Sequence, residues 1–310
     1  MLRPLLAVTM LCGAAPVVAE TLTVQGSDPA SANANDLIRI SVDRFEGEDG
    51  GALAQQLEAA LGNAQFGGHP YFRIVAPESR APIDGLVTGT TRASVDEVPV
   101  TEKRKKCTEY DPADKDKCVK EVDVDIRCRR RTIAVTTTAR LVAIGDGSVR
   151  YTRPLSARDQ QTWCPDRAAS RTVDDYIDWA QRDQVQAIRR DLAPTAYSLD
   201  VRVDENRKGL AGTTAETFKH AVRVTKTDPA SACSIWGSIT GYTEPTAALA
   251  FNLGLCAEMA GNYDAAVDWY GQAQRLGSKN RDIGEGLGRV DRQRRALADW
   301  DARKRLMGAN

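Results

Sequence analysis

The sequence predicts an α+β protein: a mixed, mainly antiparallel sheet domain, then an all-α tail. Three observations predict it. Residues 85–100 and 119–142 are rich in Val, Ile and Thr, which suit a pleated, half-buried surface. Apolar residues at helical spacing stand before and after these two runs. From about residue 213 onward only helical periodicity remains, so the expected order is β-α-β-β-β-α-β over residues 37–204 and helices over 213–310.

Composition bounds the class before any element is placed. The chain has 310 residues, 42% hydrophobic and 27% charged, which suits a globular protein of about two domains. Its 42 basic and 42 acidic residues balance, so no global field draws it to nucleic acid or to an anionic membrane. Residues 1–19 read as a secretory signal, with Arg3 as the charge, an apolar run over 5–18 and a small-residue cleavage site at Val17, Val18 and Ala19. Leu11 and Thr9 fit a lipidation site at Cys12 poorly, so the expectation is removal rather than a lipoprotein. No later apolar run is long enough for a transmembrane helix. The expected location is periplasmic or secreted, with at most peripheral association with an outer membrane.

Residues 20–36 are small and polar and read as a flexible leader. Leu37, Ile38, Ile40 and Val42 then form a strand, and Leu53, Leu57, Ala60 and Leu61 mark the buried face of a helix closed by Gly62, Gly67 and Gly68. Residues 71–75 make a second strand. The two Val-rich arms follow, joined by a tip with Asp111, Pro112, Asp114 and Asp116, and Gly145 with Gly147 turns the second arm into a return strand. Thr172 and Asp175 resemble a capping box before a helix that ends at Pro194. Tyr197, Leu199, Val201 and Val203 alternate with polar residues as a last strand, and residues 205–212 form a linker.

Six cysteines follow the signal segment, an even number in an exported chain, which favours disulfides over metal ligation. Neighbourhood suggests Cys107 with Cys118 across the hairpin tip and Cys233 with Cys256 between adjacent helices, leaving Cys128 with Cys164. A register pairing Val98 with Ile126, Val100 with Val124 and Lys103 with Glu121 leaves Cys107 one residue out of line with Cys118, which a bulge near the tip would reconcile.

The element order over residues 37–204, with its Asp84 to Thr90 run, resembles the periplasmic domain of the curli-assembly transport component (CsgG-like) family. In that family apolar hairpins enter the outer membrane; here the Val122, Val124, Ile126 face runs into Arg127, Arg129, Arg130 and Arg131, which opposes a lipid-embedded barrel. Residues 247–280 are similar to a tetratricopeptide repeat, with Leu253, Gly254, Gly261, Tyr263, Ala266, Tyr270 and Ala273 at its packing positions, Ser278 where proline is usual and Ala250 where a large aromatic is usual. The resemblance implies a groove for a protein or peptide partner, with Asn252 and Glu258 of its first helix as polar contacts. Neighbouring helices, the last over about 282–306, would cap the repeat.

No catalytic signature accompanies these elements. His69 lies in a glycine loop and His220 between Lys219 and Ala221, which reads as exposed or packing histidine rather than a general base. Asp43, Glu46, Glu48 and Asp49, and the acids of the tip, lack the spacing of a calcium loop. Gly284, Gly286 and Gly288 follow no strand, which opposes a nucleotide site. The basic patches at 103–106 and 127–131 have Tyr110 as their only aromatic in sequence and acids among them, which opposes nucleic acid and leaves an anionic glycan or acidic protein as the other reading. No metal and no cofactor is expected. The sequence therefore predicts a non-enzymatic cell-envelope adaptor docking through its helical tail, with a homo-oligomeric secretion or pore accessory assembling through the hairpin as the alternative.

Overall fold

A computed structural model describes residues 20–308, so the expected signal segment lies outside the described residues. In chain order the elements are β1 (Thr21–Asp28), β2 (Arg39–Val42), α1 (Gly50–Gly62), β3 (Gln65–Phe66), β4 (His69–Pro70), β5 (Arg73–Ile74), β6 (Gly85–Asp111), β7 (Asp114–Ala143), β8 (Val149–Trp163), α2 (Val173–Leu192), β9 (Thr195–Arg202), α3 (Gly212–Val224), α4 (Pro229–Ile239), α5 (Ala247–Met259), α6 (Tyr263–Arg275) and α7 (Asp282–Gly308). They divide into two compact units, Ser27–Ala196 with the chain from Arg295 on, and the chain up to Gly26 with Tyr197–Arg294.

The first unit holds a five-stranded sheet in the order β5-β2-β6-β7-β8. β2 runs parallel to both β5 and β6, whereas β6, β7 and β8 form an antiparallel meander. Along β7, Ile133, Val135, Ala139 and Leu141 are buried while Thr136 and Arg140 are exposed, so one face carries the core. Leu53, Leu57 and Leu61 of α1 and Val185, Ile188 and Leu192 of α2 pack into that core. The capping box at the start of α2 forms, since the Asp175 amide donates to Thr172 Oγ1 at 3.1 Å. Beneath α2, Gln184 Nε2 donates to the Val135 carbonyl, and its side-chain oxygen accepts from Thr137, satisfying polar groups that burial would otherwise leave costly.

Two further features close this unit. Asp84 accepts the backbone amides of Ile38 and Arg39 and two bonds from the Arg39 guanidinium, which ties the start of β6 to β2. The last part of α7 supplies Trp300, whose ring lies 5.5 Å from that of Phe66, and Arg303, which is 0% exposed. The Arg303 guanidinium donates to the carbonyls of Asn35, Leu37 and Tyr71 and lies 4.1 Å over the Tyr71 ring. Burial lowers its pKa from the ordinary arginine value.

The second unit is mainly helical. α5 and α6 form a helical hairpin in which Gly254 lies so close to Tyr270 that an added Cβ would sit 2.6 Å from its ring. Gly286 meets the opposite side of the same ring, which gives the glycines at the start of α7 a packing role. Cys233 of α4 is bonded to Cys256 of α5.

An α+β class fits, but the expected arrangement does not. The leader expected at residues 20–36 contains β1, with Leu22 and Val24 fully buried, and β1 pairs with β9 in a two-stranded sheet. The strand over 197–203 thus belongs to the second unit, which is not all-α, and the stretch from Arg295 on belongs to the first. Leu22 and Val24 alternate with polar neighbours over too short a run to stand out beside the Ser, Asp and Asn that follow. Trp300 and Arg303 left the first unit by sequence distance alone.

Candidate functional site

The feature that stands apart is the distal part of the β6–β7 hairpin. Pairing runs unbroken from Gly85↔Ala143 to Cys107↔Glu121, with register shifts between Cys107 and Asp111 at the tip. The expected register differs from the observed one: Val98 faces Arg130, Val100 faces Cys128 and Lys103 faces Asp125. The slip is even, so each side chain keeps its face; the tip is tighter than its acidic sequence suggests. There Pro112 and Ala113 turn the chain, and the carboxylates of Asp111 and Asp114 accept the amides of Ala113 and Asp116.

β8 accompanies β7 only as far as Arg129, opposite Trp163. On the other side β2 pairs with β6 over Gly85–Val87, and the bridge Glu46↔Thr90, with the Thr91 amide donating to the Glu46 carbonyl, is the last backbone pairing along that edge among the described residues. From Thr101 to Arg127 the hairpin is therefore a two-stranded ribbon, roughly 35 Å long at about 3.3 Å per residue. Its side chains are exposed or half-buried on both faces. Such a ribbon is marginal by itself, and it is clasped at both ends. Cys107–Cys118 closes the tip, and Cys128–Cys164 joins β7 to the residue after β8 at its base. Together with Cys233–Cys256, these are the expected pairs, Cys128–Cys164 by elimination and the other two by neighbourhood in the sequence.

Charge is distributed unevenly across the ribbon. The β6 edge carries Lys103, Arg104, Lys105 and Lys106, and the β7 edge Glu121, Asp123 and Asp125. Within the ribbon Lys103 faces Asp125 and Lys105 faces Asp123, while Lys105 Nζ also lies 3.0 Å from Glu121. Arg104 bonds Asp166 at 2.9 Å and Glu102 at 3.3 Å, and the Asp166 bond holds its pKa above the ordinary value. On the other face Val98, Val100, Val122, Val124 and Ile126 are interleaved with Glu102, Arg104 and Lys106. No continuous apolar band results.

No family model matches this chain. None of the curated proteins matches it either. Among solved structures it is similar to an uncharacterized lipoprotein B from Nitrosomonas europaea, at 10% identity over 51% of this chain and 83% of that one, with a TM-score of 0.26. A PelC dodecamer from Paraburkholderia phytofirmans aligns at 12% identity over 56% of this chain and 99% of that one, with a TM-score of 0.24. At these scores neither fixes a fold or a function for this chain.

The residues expected to contact a partner lie elsewhere. Asn252 is 0% exposed, and its carboxamide accepts from the Asp204 amide and donates to the Asp204 carbonyl. Glu258 is 3% exposed and takes two bonds from Arg289, at 2.8 and 2.9 Å, and one from the Tyr270 hydroxyl at 2.6 Å. Burial, then the Glu258 charge, pushes the Tyr270 hydroxyl well above the ordinary tyrosine value. Both side chains are internal ties of the helical unit, so their assignment as docking contacts is corrected. Sequence placed them on a concave face; α7, which covers Glu258 with Arg289, reverses that.

The histidines are not brought together. His69 stacks on Trp300 with ring centroids 6.0 Å apart, and His220 is exposed on α3. Among the described residues one group of metal-ligating atoms clusters, Glu102 with Cys128 and Cys164, and its two sulfurs are joined to each other. Arg39, His69, Arg73, Trp300 and Met307 line an open groove of about 910 Å³ in the first unit. Three disulfides fit an oxidising, extracytoplasmic compartment, and among the described residues no helix is long and apolar enough to cross a membrane.

Proposed function

We propose that this chain is a non-enzymatic protein-assembly module of the cell envelope that docks onto further copies of itself through the β6–β7 ribbon. One observation carries the reading: among the described residues both long edges are unpaired between Thr101 and Arg127, with Lys103, Arg104, Lys105 and Lys106 on one and Glu121, Asp123 and Asp125 on the other. An open edge is a template for another strand, and charged residues along it decide which strand is accepted. When two ribbons lie side by side with their tips in the same direction, β6 of one meets β7 of the next in antiparallel sense. Lys103 and Lys105 then reach Asp123 and Asp125 of the neighbour, repeating the pairing found within each ribbon. Because the two edges differ, the contact is heterologous, and repetition gives a ring or a row rather than an isologous dimer. The mixed charges on both faces favour a water-exposed assembly over a lipid-facing barrel.

The docking surface therefore moves from the helical tail to the ribbon, and the adaptor and oligomer readings merge. Hydrogen exchange measured as a function of protein concentration tests it. Amides of 101–107 and 121–127 gain protection as concentration rises, while those of the helical unit do not. Protection independent of concentration across the ribbon would remove the proposal.

A further inference from the structure

We infer that an arginine and tryptophan surface at the base of the ribbon binds an anionic polysaccharide. The surface is separate from the ribbon edges and does not rest on their self-association. Arg127, Arg129 and Arg131 alternate along β7 and so share the face that α2 covers farther along at Ile133 and Val135. α2 begins only at Val173, and toward the ribbon that face is open: Arg127 and Arg129 are exposed. Among the described residues Arg127 has no carboxylate partner, and Arg129 has only Glu97, at 3.8 Å. The sequence shows this run of cations without an aromatic beside it; the fold supplies the aromatics.

Trp163 stands directly opposite Arg129 on β8, and the Arg131 guanidinium lies 5.3 Å from the centre of its ring. Arg131 also donates to the Arg171 carbonyl, which fixes the next residue in the series. The Arg171 guanidinium lies 5.5 Å over the Trp179 ring and 5.8 Å over Tyr176. Trp179 is 45% exposed, an unusual position for the largest apolar side chain. The result is a row across β7, β8 and the start of α2 in which Arg127, Arg129, Arg171 and Trp179 are exposed and Trp163 half-buried, with Arg131 and Tyr176 buried among them.

Each part has a matching chemical group. A guanidinium presents a planar fork that fits a carboxylate or sulfate oxygen pair, and its weak hydration lets it do so beside an apolar plate. An indole offers a flat, amphipathic surface against which the C–H face of a sugar ring packs while its hydroxyls stay in water. Alternation of the two along several elements fits a polymer with an anion on each or every other ring rather than a single sugar. The compartment that the disulfides fit contains such polymers outside the cell membrane. Plain electrostatics would not need Trp179, and this separates the proposal from binding of any polyanion.

The chain from Glu20 is titrated with oligogalacturonate, dextran sulfate, neutral dextran and polyphosphate, followed by calorimetry at physiological salt. Saturable binding to a charged saccharide is expected, with none to neutral dextran. Trp179→Ala is expected to weaken it about tenfold, as is Arg129→Ala, each with an unchanged melting temperature because both side chains are exposed. No binding to either charged saccharide overturns the inference. Polyphosphate binding as tightly as the saccharides, with Trp179→Ala indifferent, overturns it equally, because the surface would then read charge alone.

Discussion

Glu258 and Arg289 are each about 3% exposed, so the energetics of this pair are set by desolvation rather than by attraction across water. Glu258→Ala leaves the guanidinium buried and unpaired and is expected to cost about 3–5 kcal/mol of stability, read by chemical denaturation of the helical unit. Asn252→Ala strands the Asp204 amide and carbonyl and is expected to cost about 1–3 kcal/mol. Unchanged stability in either variant would return these side chains to the surface role that their sequence positions suggest. Asp84 makes the opposite sort of prediction, one with a pH axis. Burial alone would raise its carboxyl pKa, but the Arg39 guanidinium and the Ile38 and Arg39 amides outweigh it and hold the group below the usual range. A depressed folded pKa gives stability that is present above the unfolded value of about 3.9 and is lost as pH falls through the folded one. Asp84→Asn should therefore flatten the acid-side loss of stability of the sheet unit between about pH 5 and pH 2, with little change of slope above. In the sequence Asp84 is legible only as the first residue of the run to Thr90. Its four bonds depend on β2 arriving beside β6, which no local pattern encodes.

At the scale of elements, the ribbon is the part that sequence described best, because period-2 Val, Ile and Thr and a turn bounded by cysteines are local signals. Its register was less legible. A shift of four residues conserves which face each side chain occupies, so the alternation that defines the arms cannot choose between the two. What sets the observed pairing is the run of register shifts between Cys107 and Asp111, which carries the arms from the Asp111–Asp114 turn to the Cys107–Glu121 pair. Cys107→Ser with Cys118→Ser should remove about 2–3 kcal/mol of local restraint on the chain-entropy model. Exchange of amides in 101–127 should then quicken without a shift in the melting of either core, since neither core includes a residue of that stretch. A fall in the global melting temperature would mean that the ribbon is part of the folding core and not a surface appendage.

At the scale of the whole chain, the division into units follows contacts that sequence order hides. Helical periodicity from residue 213 onward is real, and α3 to α7 realise it, yet the end of α7 packs its Trp300 and Arg303 among residues numbered 35 to 72. A stretch dense in Arg and Asp reads as a solvated cap; only the fold shows that one of those arginines is buried over two aromatic rings. Ending the chain before Arg295 should therefore lower the melting temperature of the sheet unit by about 10 °C, the scale expected for losing one buried aromatic and one buried, fully bonded cation. Assembly through the ribbon is read by light scattering on the chain from Glu20. A mass of several copies is expected at physiological salt, falling to one copy when Lys103 and Lys105 are both replaced by Asp and returning when Asp123 and Asp125 are also replaced by Lys. A monomer at every concentration, or an oligomer indifferent to both sets of replacements, would contradict it.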